Sequence, residues 1–115
     1  MLNKRYRFHS RGGVRYTYAH GRTIRHAKLS LVHVENTRGY QRFAVVVSKK
    51  VDKRATVRNR IRRRVYEAIR LYKKQYNLTV KKDFVFVIYS IDFATCPFEE
   101  IETRVKQILE ESLVS

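Results

Sequence analysis

Residues 42–74 read RFAVVVSKKVDKRATVRNRIRRRVYEAIRLYKK, and together with residues 83–89, DFVFVIY, they decide the fold. Phe43-Ala44-Val45-Val46-Val47 is apolar at every position, which suits a central strand covered on both faces. Beyond a basic loop at 49–56, Val57, Ile61, Val65, Ala68, Ile69 and Tyr72 recur at helical spacing. They share one buried stripe centred on Ile61 and Tyr72. Thr56 is the expected N-cap, and the helix runs to about Tyr76. Residues 83–89 form a second buried strand. A strand–helix–strand unit over 40–89 makes the two strands parallel.

The polar side of that helix is unusual. On the same wheel Asn59, Arg63, Tyr66 and Arg70 fall opposite the stripe, Arg60 and Glu67 lie beside them, and Arg58, Arg62 and Arg64 line the flanks. Residues 49–74 hold twelve Lys or Arg against only Asp52 and Glu67. A merely solvated helix face mixes signs to gain i,i+4 pairs, whereas like charges packed this closely destabilise the free helix. Arg presents a planar fork of donors that suits phosphate. The face therefore reads as a contact surface for a polyanion.

Outward from this unit, residues 1–8 are polar and expected to be extended or loose. Residues 9–20 give a weak helix, because Gly12 and Gly13 each cost about 1 kcal/mol in a helix interior. Gly21 suits the position after its end. Strands are expected between Thr23 and Val34, with Leu29 and Leu31 on one face and Val32 and Val34 on the other. Asn36-Thr37-Arg38-Gly39 is a turn. Pro97 opens a last helix whose buried stripe is Phe98, Ile101, Val105, Ile108 and Leu109, with Glu99, Glu100 and Glu102 at its positive end.

A length of 115 residues with 43% hydrophobic content predicts one domain, 1–115, able to bury its own core. Its formal charge is +16, and the self-repulsion this causes is relieved by a bound polyanion. Residues 1–82 carry 24 basic and three acidic side chains, and residues 83–115 carry two and seven, so the C-terminal third reads as a structural back. Cys96 stands alone, which fits a reducing cytoplasm. No apolar run is long enough to span a bilayer, and the N-terminus lacks the apolar segment of a secretory signal. An anionic membrane would need an apolar helix face left free for lipid, and the stripe at 57–72 belongs to the core.

No constellation for protein-based catalysis is evident. His9, His20, His26 and His33 have no zinc-ligand spacing with one another or with Cys96 and read as isolated surface or sheet-face residues. Arg11-Gly12-Gly13 lacks the frame of a phosphate loop. Glu99, Glu100 and Glu102 fit a helix N-terminus better than a metal site. Ser48 and Lys49, adjacent on a strand, point to opposite faces and form no dyad. No metal ligands are expected in the chain, and catalysis would have to come from the partner.

Ser48-Lys49-Lys50 followed by Ala55-Thr56-Val57-Arg58-Asn59-Arg60-Ile61-Arg62-Arg63 resembles the "RNR" signature of the protein subunit of bacterial ribonuclease P. The strand Arg42–Ser48 is similar to the family's strand leading into that motif. Upstream, Arg7-Phe8 and Tyr18-x-His20-Gly21 resemble its first-helix region. The resemblance implies an α+β fold in the order α-β-β-β-α-β-α: a two-layer α/β sandwich of a four-stranded sheet and three helices, similar to the ribosomal protein S5 domain 2-like fold. It also implies a left-handed β-α-β crossover, against the usual right-handed rule.

The activity implied is endonucleolytic removal of the 5′ leader from precursor tRNA in the cytoplasm. The catalytic RNA subunit performs the cleavage with Mg2+ held mainly by RNA and substrate. The implied partners are that RNA and precursor tRNA, with no membrane and no obligate protein partner. Carried onto this chain, Arg58, Asn59, Arg60 and Arg63 contact the catalytic RNA, with Arg62 on the flank and Lys49, Lys50, Lys53 and Arg54 at the strand end and loop. Val14, Tyr18, Lys49 and Lys53 fall at the leader cleft between the first helix and the sheet. There a Tyr ring stacks a base at about 1–3 kcal/mol whatever the base. The chain departs from the family at Val14, where a second cleft Phe is usual, at Val32, where a Tyr is frequent, and at Ser90-Ile91-Asp92, where basic residues are usual. Tyr16 is a substitute ring.

The alternative is a small basic ribosomal or other structural RNA-binding protein without a processing role. A free-standing metal-dependent nuclease would need convergent carboxylates, and competition by duplex DNA would expose a DNA binder.

Overall fold

The computed structural model describes residues 2–8 and 11–114. Its helices and strands are α1 (Arg11–His20), β1 (Arg22–Arg25), β2 (Leu29–Glu35), β3 (Arg42–Val47), α2 (Ala55–Tyr76), β4 (Lys82–Ile88) and α3 (Phe98–Val114). Short 3-10 turns cover Lys4–Tyr6 and Ile91–Ala94. The expected order holds, and the sheet runs β1-β2-β4-β3. β3 and β4 are parallel, joined through α2, while β1–β2 and β2–β4 are antiparallel.

Strand alternation assigns the two faces. Leu29, Leu31, Phe43, Val45, Val47, Phe84, Phe86 and Ile88 join the stripes of α2 and α3 in the main core. Val32, Ala44 and Val85 face the other way, and Phe8 and Val14 of the N-terminal region pack on them with Val46 and Val87. The sandwich of sheet and α2/α3 is thus capped by α1 on its second face, as the doubly apolar run 43–47 requires. A salt bridge pins the parallel pair: Arg42 donates to both oxygens of buried Asp83, its register partner, at 2.9 and 2.6 Å. The Asn36 side chain adds a bond to Asp83 at 2.8 Å and one to the Tyr40 carbonyl at 3.1 Å, closing the turn in which Gly39 takes φ +83°.

Three expectations are corrected. Residues 2–8 are packed, with Leu2 and Phe8 buried. The Phe8 N–H donates to the Phe43 carbonyl at 2.9 Å, and Arg7 bridges Phe43 in parallel. β3 is an edge strand, and this segment satisfies main-chain groups that the sheet leaves open.

The N-cap of α2 is Arg54 rather than Thr56, and it has no side-chain cap bond. Asp52 accepts the Arg54 backbone N–H at 2.8 Å and its guanidinium at 3.0 and 2.9 Å, which fixes the turn before Thr56 is reached. Tyr66, placed opposite the stripe, is buried, because its hydroxyl accepts the Val45 N–H at 3.2 Å. A long side chain reaches back to the sheet edge from a position off the stripe. His9 and Ser10, where the first helix was expected to begin, lie outside the described residues.

Gly21 follows α1 as expected, but close approach is what demands a glycine: a Cβ would meet the Thr17 and His33 carbonyl oxygens at 2.6 and 2.7 Å.

Candidate nucleic-acid interface

The basic residues of α2 divide by what they already hold. Arg58 donates from Nη1 to the Asp52 and Lys53 carbonyls at 3.0 and 2.7 Å and so staples the loop to the helix. Arg60 Nε donates to the Ala94 carbonyl at 2.7 Å, and Arg64 donates to those of Phe93 and Cys96 at 2.7 and 2.5 Å. These carbonyls belong to the 3-10 turn and its exit, whose acceptors lack helical partners. Arg70 pairs with Glu67 at 2.5 Å and holds its carboxyl below the usual range. Arg54 pairs with Asp52 at 2.9 Å and brings that carboxyl down to about 2. Arg62 donates to the side-chain oxygen of Asn59.

Arg63 has no such commitment: it is exposed, without an acceptor among the described residues. The same holds for Lys49, Lys50 and Lys53, all exposed between β3 and α2. Arg63 borders a groove of about 670 Å³ with Asn59, Arg62 and Arg7, over a floor of Val45 and Tyr66. Arg7 is the member that sequence reasoning missed, since it lies in the segment expected to be loose. Its guanidinium sits 5.8 Å from the Tyr66 ring, and its Nε is buried without a hydrogen-bond partner. The only signal in the sequence was its membership of the Arg7-Phe8 pair. The groove thus joins three Arg side chains from two remote segments, with a neutral floor that does not compete for anions.

The second face supplies the other candidate region. Val14 is half-buried under α1, packed beside Val46 and Val87. Tyr18 is 46% exposed, and burial, then the nearby Tyr89 phenol, raises its pKa. Tyr16 instead stacks on His20 at 4.4 Å. Val47 pairs with Ile88, so Lys49 follows just beyond the strand end where Tyr89 leaves β4. Lys53 stands further along the loop.

The acids do not converge. Asp52, Glu67 and Asp83 pair as described, Asp92 with Lys28 at 3.0 Å, Glu100 with Arg104 at 3.2 Å and Glu111 with His26 at 2.9 Å. Among the described residues no group of three or more His, Cys, Asp or Glu is gathered where it could hold a metal ion. His33 is buried, with Nδ1 3.3 Å from Lys82 Nζ, and its pKa is lowered by burial, then by Lys82 and Arg22. His9 lies outside the described residues. No described helix is long and apolar enough to cross a membrane.

A family model described as Ribonuclease P matches residues 2–112. The chain belongs to the ribonuclease P protein family. Ribonuclease P protein components from Clostridioides difficile and Roseiflexus castenholzii agree with this. The first is 31% identical, covering 88% of this chain and 86% of the relative, and the second is 37% identical, covering 78% and 71%.

The solved ribonuclease P proteins of Staphylococcus aureus and Thermotoga maritima share the fold. Their TM-scores are 0.78 and 0.77 at 19% and 20% identity, covering 93% and 91% of this chain and 94% and 96% of theirs. Membership of the ribonuclease P family assigns the chain to tRNA processing as a protein subunit, and a structural RNA binder without a processing role is not favoured. The RNR helix of this family is, in the present chain, partly a structural device: Arg58, Arg60 and Arg64 tie three segments together while Arg63 stays available.

Proposed function

We propose that this chain is the accessory subunit of a cytoplasmic ribonucleoprotein whose RNA performs the cleavage. Arg7, Asn59, Arg62 and Arg63, with Lys49, Lys50 and Lys53, bind phosphates of the catalytic RNA. The cleft beside Tyr18 holds the single-stranded 5′ leader of precursor tRNA. Arg58 and Arg60 act through the helix they brace and lend their remaining donors to the RNA, and Arg54 does so from its pair with Asp52. Mg2+, held mainly by RNA and substrate, supplies the charge stabilisation for cleavage. The protein neutralises phosphate repulsion and orients the leader, so that bound substrate reaches the reactive geometry.

One observation carries this reading: Arg7, Arg62 and Arg63 gather around one groove, while the described carboxylates pair with neighbouring cations. The experiment is cleavage of a precursor tRNA by protein alone, by catalytic RNA alone and by both at low Mg2+. Leader removal is expected only from the pair. Metal-dependent cleavage by RNA-free protein would overturn the proposal.

A further inference from the structure

The sheet register shows what floor the α1 cleft offers. Arg25 pairs with Ser30, Ser30 with Val87, and Val87 with Val46. Paired residues share a face, so these four make one row across the sheet on the α1 side. It is about 14 Å long, from three interstrand spacings. In the neighbouring row Val32, Val85 and Ala44 are closed off, at 5% exposure or less. Val46 and Val87 are only half-buried, and Arg25 is exposed. The first row is therefore open at Arg25 and half-open at Val87 and Val46, with Ser30 closed between them.

Tyr89 lies beside that row, just past the end of β4, with its hydroxyl over Ser30. Two residues beyond Val87, it keeps to the same face. Its backbone N–H donates to the Lys28 carbonyl at 3.0 Å, and its hydroxyl donates to Ser30 Oγ at 2.9 Å. Ser30 is itself 1% exposed, so the anchor is rigid. The ring is thus held at both ends, yet the residue is 50% exposed. Tyr18 approaches closely enough for the Tyr89 phenol to oppose its ionisation. Neither ring takes part in the ring–ring contacts of the described residues. A ring fixed before binding loses little freedom when a base stacks on it. The segment that follows, Ser90-Ile91-Asp92, carries no positive charge with which to hold phosphate.

We propose that Tyr89, locked by Ser30, is a second stacking wall for the single-stranded RNA leader near Tyr18, with Arg25, at the β1 end of the row beside Ser30, as a phosphate contact. This rests on the leader-cleft reading above. Stacking of this kind tolerates any base, as a variable leader needs.

The test uses holoenzyme reconstituted with its catalytic RNA and compares precursor tRNA, the same substrate with an abasic leader, and mature tRNA. Tyr89→Ala is expected to weaken binding of the precursor about 5- to 150-fold, the worth of one base stack, and to leave mature tRNA unchanged. Tyr89→Phe, which keeps the ring and loses only the Ser30 bond, restores most of that loss. Wild-type holoenzyme with the abasic leader reproduces the loss without altering the protein, so a variant that folds poorly does not remove the test. Equal weakening of precursor and mature tRNA overturns the proposal. If Tyr18→Ala discriminates the substrates and Tyr89→Ala does not, the second wall fails while the cleft stands. If neither variant discriminates and the abasic leader binds normally, the leader-cleft reading falls with it.

Discussion

Arg63 and Arg64 are neighbours in sequence with opposite commitments, and exchanging each for Ala should separate RNA binding from stability. Arg64 donates to the carbonyls of Phe93 and Cys96 at 2.7 and 2.5 Å. A bond from a charged donor contributes about 1.5–3 kcal/mol, and the site is only part-buried, so the pair together is worth about 2–4 kcal/mol. An unfolding entropy of about 2.1 cal/mol/K per residue over 115 residues converts this to a Tm lower by about 8–17 °C. Arg63 makes no such bond, and Arg63→Ala should leave Tm unchanged.

RNA affinity should behave in the reverse way. One phosphate contact contributes about 0.7–0.9 to the slope of log affinity against log salt, or about threefold between about 50 and about 200 mM. Arg63→Ala should flatten that slope by this amount, and Arg64→Ala should leave it as steep as in the wild type. Thermal unfolding followed by circular dichroism, with filter binding of the catalytic RNA over a salt series, measures both. The division into braced and available arginines is refuted if Arg64→Ala flattens the slope at unchanged Tm, or if Arg63→Ala leaves the slope intact.

Tyr66→Phe removes the acceptor of the buried Val45 N–H and should cost about 1–3 kcal/mol, read as a lower urea midpoint at unchanged m-value. An unchanged midpoint would mean that water replaces the hydroxyl. His33 gives a pH signature. Its folded pKa lies below the ordinary 6.5, so at mildly acid pH the unfolded chain binds more protons than the native one. Stability should therefore fall as pH drops from 6.5 towards the lowered native value and level off below it. His33→Gln should flatten that part of a urea-midpoint profile, and an equally steep profile in the variant would move the effect elsewhere.

Periodicity alone fixed much of this protein. The run 43–47 demanded cover on both faces, although β3 lies at the sheet edge rather than its centre; the stripe from Val57 to Tyr72 demanded one buried helix side, and the parallel pairing of β3 with β4 follows from the strand–helix–strand order. The basic face was equally legible, because charge is a property of composition and helical spacing. Which of those charges are available was not. Arg58, Arg60 and Arg64 look no different from Arg63 on a helical wheel, and only the return of the chain at Phe93–Cys96 supplies the carbonyls that engage Arg60 and Arg64.

Arg7 and Tyr89 are the converse cases. Each lies far in sequence from the motif or cleft it borders, and only tertiary contacts, the bridge to Phe43 for Arg7 and the hydroxyl bond to Ser30 for Tyr89, bring it there. Local spacing reports the few neighbours on one helix or strand. Hydrogen-bond commitment and groove geometry depend on contacts between remote segments, which the folded chain alone defines.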